Sequence, residues 1–513
     1  MLEALTFLGQ GFINCLTVTN ILCCIVGVLV GTLAGVLPGL GISGSVAILL
    51  PITYSMEPLT ALIMVSGIYF GSQYGGAITS ILVNIPGEAT SIVTCFDGYP
   101  MAKKGLGGKA LGISAVSSFC GGTVGLIFLT LAAPQLARLA VSFGAPEFFA
   151  IVCFGLLLLT NISGKNVLKA TIMVFCGVML GCVGLDSTFG SLRFTFKNVN
   201  LYKGIDFIIF IMGVFGITEL MYTICCPEDQ GDILSFKFKE LYPTAKDLTH
   251  VAPTILRGSL FGFAVGLIPG PGSMLATFGS YGLEKRLSKH PEEFGKGVPR
   301  GVAAPESANN ASMYAQMVPL LSLGIPFSSS IALLMSAFMI HGITPGPMLI
   351  TQHPDLFWGL IASMFIGNLF LIIINLPLVG IWASLLKVDF SLLMPIITII
   401  TYTGAFAINN SIFDLGIMTA AGLLGFWLKA GGYDLSALAL GMFLGPTLEK
   451  NLISTLVIYD GSLFRMIASR PVGGTMLVIV MLVVVFMLGR TVYNVSKSRM
   501  QKRLKNEQTP TES

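Results

Sequence analysis

The chain has 513 residues, of which 54% are hydrophobic and 11% charged, against roughly 25% charged in a soluble domain. Its mean hydropathy is +0.84, which excludes an ordinary soluble enzyme and points to an all-α polytopic membrane protein of inner-membrane type. The net charge of +4 comes mainly from loop and tail residues, so no nucleic-acid partner is implied.

In chain order, Met1-Leu-Glu-Ala-Leu lacks the basic n-region of a signal peptide, and the first apolar run is expected to be retained. Apolar runs then fall at 21–52, 59–92, 110–133, 147–160, 167–185 and 206–226. A polar interval at 227–250 separates them from runs at 251–283, 303–340, 356–386, 392–408, 412–429, 435–446 and 471–490. Several runs exceed the roughly 20 residues of one spanning helix. Broken or re-entrant helices and about 10–12 transmembrane helices in all are therefore expected. The implied division is 1–226 (first membrane repeat and following helices), 227–250 (polar loop), 251–446 (second repeat and following helices) and 447–513. That last part holds a transmembrane helix and a basic tail with Arg490, Lys497, Arg499, Lys502, Arg503 and Lys505, expected in the cytoplasm. The ten cysteines lie in or beside apolar runs without a C-x-x-C pair and read as small hydrophobes. No His spacing suits a metal.

Two stretches nearly repeat. Gly35-Val-Leu-Pro-Gly-Leu-Gly41 recurs as Gly266-Leu-Ile-Pro-Gly-Pro-Gly272, at an offset of 231 residues. Ser72-Gln-Tyr74 through Asn84-Ile-Pro-Gly87 recurs as Ser312-Met-Tyr314 through Gly324-Ile-Pro-Phe327, at an offset of 240. Each half thus carries two Pro-centred breaks inside apolar sequence, the pattern of discontinuous helices in a duplicated transporter. Charge orients the halves. Lys103, Lys104 and Lys109 follow the second break of the first half, whereas Lys285, Arg286, Lys289, Lys296 and Arg300 follow the first break of the second. Thr53–Pro58 and His341–Asp355 hold neither Lys nor Arg. Under the positive-inside rule equivalent loops then lie on opposite faces, an inverted repeat.

The breaks are also the candidate site. Pro ends a helix, Gly admits positive φ, and the next helix starts with free N–H groups and a positive dipole end suited to a carboxylate. Candidate substrate residues are Pro38, Gly39, Gly41, Ser43 and Ser45, then Asn84, Pro86 and Gly87, with Pro269, Gly270, Gly272 and Ser273 in the second half. Ala304-Pro-Glu-Ser-Ala-Asn-Asn-Ala-Ser-Met-Tyr314 adds Asn309, Asn310 and Tyr314 to that set, and Glu306, Ser307 and Asn310 as candidates for a coupling Na⁺ or H⁺. The competing readings are close helix packing for the glycines and a capped first turn for Pro305-Glu306. Glu88, Thr90 and Ser91 are expected near the same site, while Asp97-Gly-Tyr-Pro100 reads as a turn. Gly39-Leu-Gly-Ile-Ser-Gly44 formally matches G-x-G-x-x-G but lacks the strand and the distant acid of a dinucleotide site. With no Walker A, no H-E-x-x-H and no persuasive nucleophile–base set, an intramembrane enzyme is disfavoured and no cofactor is expected. An uncoupled anion channel or a carboxylate exporter remains an alternative.

The ordered motifs resemble the large permease subunit (TctA family) of the tripartite tricarboxylate transporters. They comprise Gly35–Gly41, Tyr74-Gly-Gly76, Asn84–Gly87, Asp97–Pro100, Gly266–Gly270, Phe294-Gly-Lys-Gly297, Ala304–Ala311, Gly324-Ile-Pro326 and Gly342-Ile-Thr-Pro-Gly-Pro347. The resemblance implies a symporter in the bacterial inner membrane that imports citrate or related organic acids on a Na⁺ or H⁺ gradient. It also implies two partners, a small membrane subunit and a periplasmic solute-binding protein. At one position the chain departs from the family, which usually has Gly where Phe327 stands.

Overall fold

The computed structural model describes residues 2–37, 41–162, 167–186, 189–225, 234, 238–270, 272–385 and 390–485. Pro38, Gly39, most of the 227–237 stretch and the basic tail from Arg490 onward lie outside them. The first repeat runs through α1 (Leu2–Cys15), α2 (Val18–Val36), α3 (Gly41–Leu49), α4 (Pro58–Leu82), α5 (Ile92–Met101) and α6 (Gly107–Ala140). Helices α7 (Ala145–Ile162), α8 (Val167–Gly181), α9 (Phe207–Ile211) and α10 (Thr218–Cys225) follow, the last two joined through a π-helical stretch, Met212–Ile217. The second repeat holds α11 (Ala245–Gly266), α12 (Gly272–Leu287), α13 (Pro299–Leu323), α14 (Ser329–Ile340), α15 (Leu349–Gln352) and α16 (Pro354–Leu385). Beyond it come α17 (Phe390–Asn409), α18 (Ile412–Ala430), α19 (Leu435–Ile458) and α20 (Leu463–Ser469). Among the described residues the only sheet is the two-residue antiparallel pair β1 (Gly184–Leu185) and β2 (Leu192–Arg193), with Gly184 opposite Arg193.

The sequence duplication is also a duplication of packing. Helix α2 lies against α4 as α11 lies against α13. A Cβ on Gly35 would sit 2.0 Å from the Ser72 carbonyl oxygen, and one on the equivalent Gly266 2.6 Å from the Ser312 backbone. Only hydrogen fits at either position, so the backbones approach closely there. Packing therefore accounts for part of the glycine pattern at the two breaks. The repeats also cross over: α6 packs on α13 of the other half, and α16 on α4.

All four breaks form as physical interruptions. Helix α2 ends at Val36 and α3 restarts at Gly41. Helix α4 ends before Asn84, which takes a left-handed φ of 63°, and the Glu88 side chain caps the turn that leads into α5. In the second half Gly270, at φ 95°, donates its N–H to the Phe327 carbonyl (2.7 Å), tying the two breaks of that repeat together. Gly324 closes α13 in the left-handed conformation, and the Ser328 side chain caps α14.

The two kinds of loop gather in two separate groups. In one group Lys104 Nζ donates to the Lys296 carbonyl and Lys109 pairs with Asp247 at 2.5 Å. In the other, Leu59 at the start of α4 meets Gly359 at the start of α16, and the Leu50–Ser55 turn packs on α14. The basic loops thus meet one another, and so do the Lys/Arg-free loops.

Asp97 departs from the expected turn: it lies inside α5. Its fully buried carboxylate accepts from the N–H groups of Gly295, Gly297 and Val298 and from the Tyr281 hydroxyl. Those bonds, supplied by the other repeat, stabilise a helix through Pro100 that local turn propensity alone disfavours.

Among the described residues, five stretches are long and apolar enough to cross a membrane singly, or up to six if the bent pair α19–α20 is one span. Helices α4 and α13 fall outside this apolar set for a physical reason. Each has 25 residues, buried almost throughout, and each carries polar side chains that face protein rather than lipid. Six further apolar helices are shorter, among them α8 and α14.

Candidate functional site

The segments that follow the four breaks converge on one cavity of about 550 Å³. Helix α3 contributes Ile42 and Ser43, the turn before α5 contributes Glu88, Ala89 and Thr90, and the α11–α12 break contributes Gly270 and Ser273. Ser328, Ser329 and Ser330 come from the start of α14. The walls are completed by Tyr69 and Gln73 on α4, Gln316 on α13, and Asp434, Ser436 and Leu440 at the start of α19. Helix starts are paired across the repeats: α3 abuts α14, and α12 abuts the turn before α5.

Hydroxyls and amides line this cavity as a connected set. Ser43 Oγ lies 3.0 Å from Ser330 Oγ and 3.3 Å from Ser329 Oγ, and Ser329 Oγ lies 3.1 Å from Ser436 Oγ. On the opposite wall Gln316 donates to Ser273 Oγ (2.7 Å) and accepts from Ser328 Oγ (2.7 Å). Gln73 Oε1 accepts from both Thr90 Oγ1 (3.1 Å) and Asn309 Nδ2 (3.0 Å). None of the described lining residues is Lys, Arg or His, whereas two, Glu88 and Asp434, are acids. One oxygen of Glu88 accepts from the Ile42 N–H in the first turn of α3, and the other from the Ala89 N–H (3.2 Å). Binding an anion here therefore falls to helix-start N–H groups, hydroxyls and amides.

Of the candidate residues, Ser43, Gly270 and Ser273 line the cavity. Gly41 and Gly272 open α3 and α12 beside it, and Asn309 stands behind Gln73 with its Oδ1 buried and unpaired. Pro38 and Gly39 lie outside the described residues. Ser45 is buried in α3, and Pro269 is buried at its break. Asn84 and Pro86 are exposed at theirs, and Gly87 packs on the Gly35 carbonyl. Tyr314 stacks on Phe70 at 4.4 Å, deep in the core.

The residues considered for a coupling ion face different ways. Glu306 is buried and accepts from Thr94 and Ser118, the latter at 3.0 Å. The Ser307 hydroxyl turns to the Ala303 and Ala304 carbonyls, and Asn310 Nδ2 bonds back to the Glu306 carbonyl. Sequence reasoning did not single out Gln73, Gln316, Ser328–Ser330, Asp434 or Ser436. The serine triplet directly after Ile325-Pro-Phe327 was the available signal; the start of α19 offered none, since it lies outside both repeats.

Comparison with known proteins gives the family. The family model of the tripartite tricarboxylate transporter TctA family matches residues 21–440. An "Uncharacterized 52.8 kDa protein in TAR-I ttuC′ 3′region" of Agrobacterium vitis is 44% identical over 490 residues, covering 95% of this chain and 97% of the relative. A second Agrobacterium vitis relative, an "Uncharacterized protein in TAR-II ttuC′ 3′region", is 46% identical over 216 residues, covering 42% of this chain and 89% of its own length. No solved structure matches significantly.

Proposed function

Because the chain belongs to the tripartite tricarboxylate transporter TctA family, we propose that it is the gradient-driven permease that carries citrate or a related organic acid into the cell. The carrying observation is the cavity on which the segments after all four breaks converge. Helix-start N–H groups with Ser43, Ser273, Gln73 and Gln316 hold the substrate carboxylates, and Asn309 positions Gln73. Glu306, buried among hydroxyls, is the candidate for the coupling Na⁺ or H⁺.

The expected partners are a small membrane subunit and a periplasmic solute-binding protein that delivers the substrate. The end bearing Lys104 and Lys296 faces the cytoplasm of a bacterial inner membrane, and so does the C-terminus. Segments 1–226 and 251–446 each hold one inverted repeat and the helices that follow it, linked by 227–250. Through α6 and α16 each unit packs against the other, and an alternating-access motion carries the cavity from one face to the other.

The test is uptake of labelled citrate and a panel of di- and tricarboxylates into vesicles holding all three components, without ATP. Saturable uptake that stops when the Na⁺ or H⁺ gradient is collapsed supports the symporter. Non-saturating flux that survives collapse would make it a channel, and silence across the panel would sink the carboxylate reading.

A further inference from the structure

On the reading of the cavity as a carboxylate site, we propose that Glu88 couples substrate binding to one proton. Its carboxylate competes with a substrate carboxylate for the start of α3, so an anion enters that pole of the cavity only once Glu88 is neutral.

Three observations converge on this residue. First, Glu88 lines the cavity while one of its oxygens already occupies the Ile42 N–H, the group a substrate anion would use. Second, the two repeats differ at this position. The offset of 240 that aligns Tyr74 with Tyr314 aligns Glu88 with Ser328, and Ser328 bonds Gln316 instead. The start of α12 presents Ser273 to the cavity, whereas the start of α3 is filled by an acid of the chain itself. Third, the lining holds Glu88 and Asp434 and no described basic side chain. A polyanion that binds while Glu88 is ionised meets like charge at close range.

The proton balance is simple. A proton from the medium adds to a Glu88 carboxylate oxygen, and the neutral acid no longer repels the substrate. It becomes a donor whose O–H can bond a substrate oxygen, while the α3 start turns to the same anion. When the substrate leaves, the proton is released to the side on which it leaves. The groups facing Glu88 are Tyr69 on α4, Glu219 on α10 and Asp434 at the start of α19. Glu219 is paired with Lys429 of α18 at 2.5 Å. Glu306 on α13 is turned to Thr94 and Ser118, Asp97 on α5 to the Gly295–Val298 backbone, and α12 presents Ser273 to the cavity.

The experiment measures equilibrium binding of labelled citrate and succinate to the full chain in nanodiscs from pH 5.5 to 8.5, comparing wild type with Glu88→Gln. Ionisation of the ligand is common to both proteins and cancels in the ratio of their Kd values. That ratio should climb with pH, approaching tenfold per unit, the limit for one linked proton. Ser328→Glu, which puts an acid at the second pole, should weaken binding at pH 8 and recover it at pH 5.5. It carries the test alone if Glu88→Gln does not fold. A ratio constant across pH, or Ser328→Glu binding like wild type, overturns the role of Glu88 and leaves the transporter reading intact. Absence of binding to wild type at every pH overturns both.

Discussion

Replacing Asp97 perturbs the joint between the repeats at a point where the cost can be worked from the bonds. Oδ1 accepts from the N–H groups of Gly297 (2.7 Å), Val298 (2.9 Å) and Gly295 (3.0 Å), while Oδ2 accepts from Tyr281 (2.8 Å). Asp97→Ala strands these donors. An unsatisfied buried donor costs about 1–3 kcal/mol, but Gly297, Val298 and Tyr281 are half-buried and Gly295 is exposed, so rehydration trims the loss to a total of about 3–5 kcal/mol. Asp97→Asn can keep its carbonyl at the Oδ1 position and donate to the Tyr281 hydroxyl, losing mainly the charge assistance, for about 1–3 kcal/mol. Thermal unfolding in detergent, followed by intrinsic fluorescence, reads the difference. One kcal/mol corresponds to about 2–4 °C for 150–250 residues and less for a longer chain. The Ala variant should therefore fall several degrees below the Asn variant. Gly301→Ala should resemble Asp97→Ala and be non-additive with it, because a Cβ there would lie 2.1 Å from Asp97 Oδ2. Equal midpoints for the Ala and Asn variants, or additive losses with Gly301→Ala, would refute the reasoning.

Glu306→Gln and Asn309→Ala should each abolish gradient-driven uptake while membrane insertion stays normal; wild-type uptake in both variants would remove them from the site. Reporter tags at Lys104 and Lys289 should report the cytoplasm and a tag at His353 the opposite side, and a common side for Lys104 and His353 would overturn the proposed orientation. Lys109 holds the Asp247 carboxyl below its usual range, with capping by Thr244 helping. Its folded pKa is depressed, so the stabilisation is present above the unfolded value of about 3.9 and is lost as pH falls through the folded value. Lys109→Ala should accordingly lower stability by about 0.5 kcal/mol, typical of a surface pair, uniformly from pH 8 to pH 5. The gap to wild type should close below about pH 4, and a gap that widened in acid would contradict the pairing.

Much of this protein is legible from one dimension because membrane segments obey local rules. Apolar length marks the membrane class, Pro and Gly mark the interruptions, and the offset repeat of Gly35 and Gly266 anticipates two equivalent helix contacts. Lys and Arg placement anticipates which loops meet. Local rules stop at side-chain direction and distant contact. Asn309 and Asn310 are neighbours, yet about 100° of helix rotation separates them: one reaches Gln73, the other bonds back along its own helix. Glu88 lies 46 residues from Ile42 and joins the site only because α3 folds against α4. Asp434 and Ser436 belong to neither repeat and enter it only where α19 meets α14. Composition and spacing thus determine that this chain is a duplicated, broken-helix membrane protein. Packing decides which polar groups share a cavity, because each buried donor and acceptor needs a partner that only the assembled helices supply.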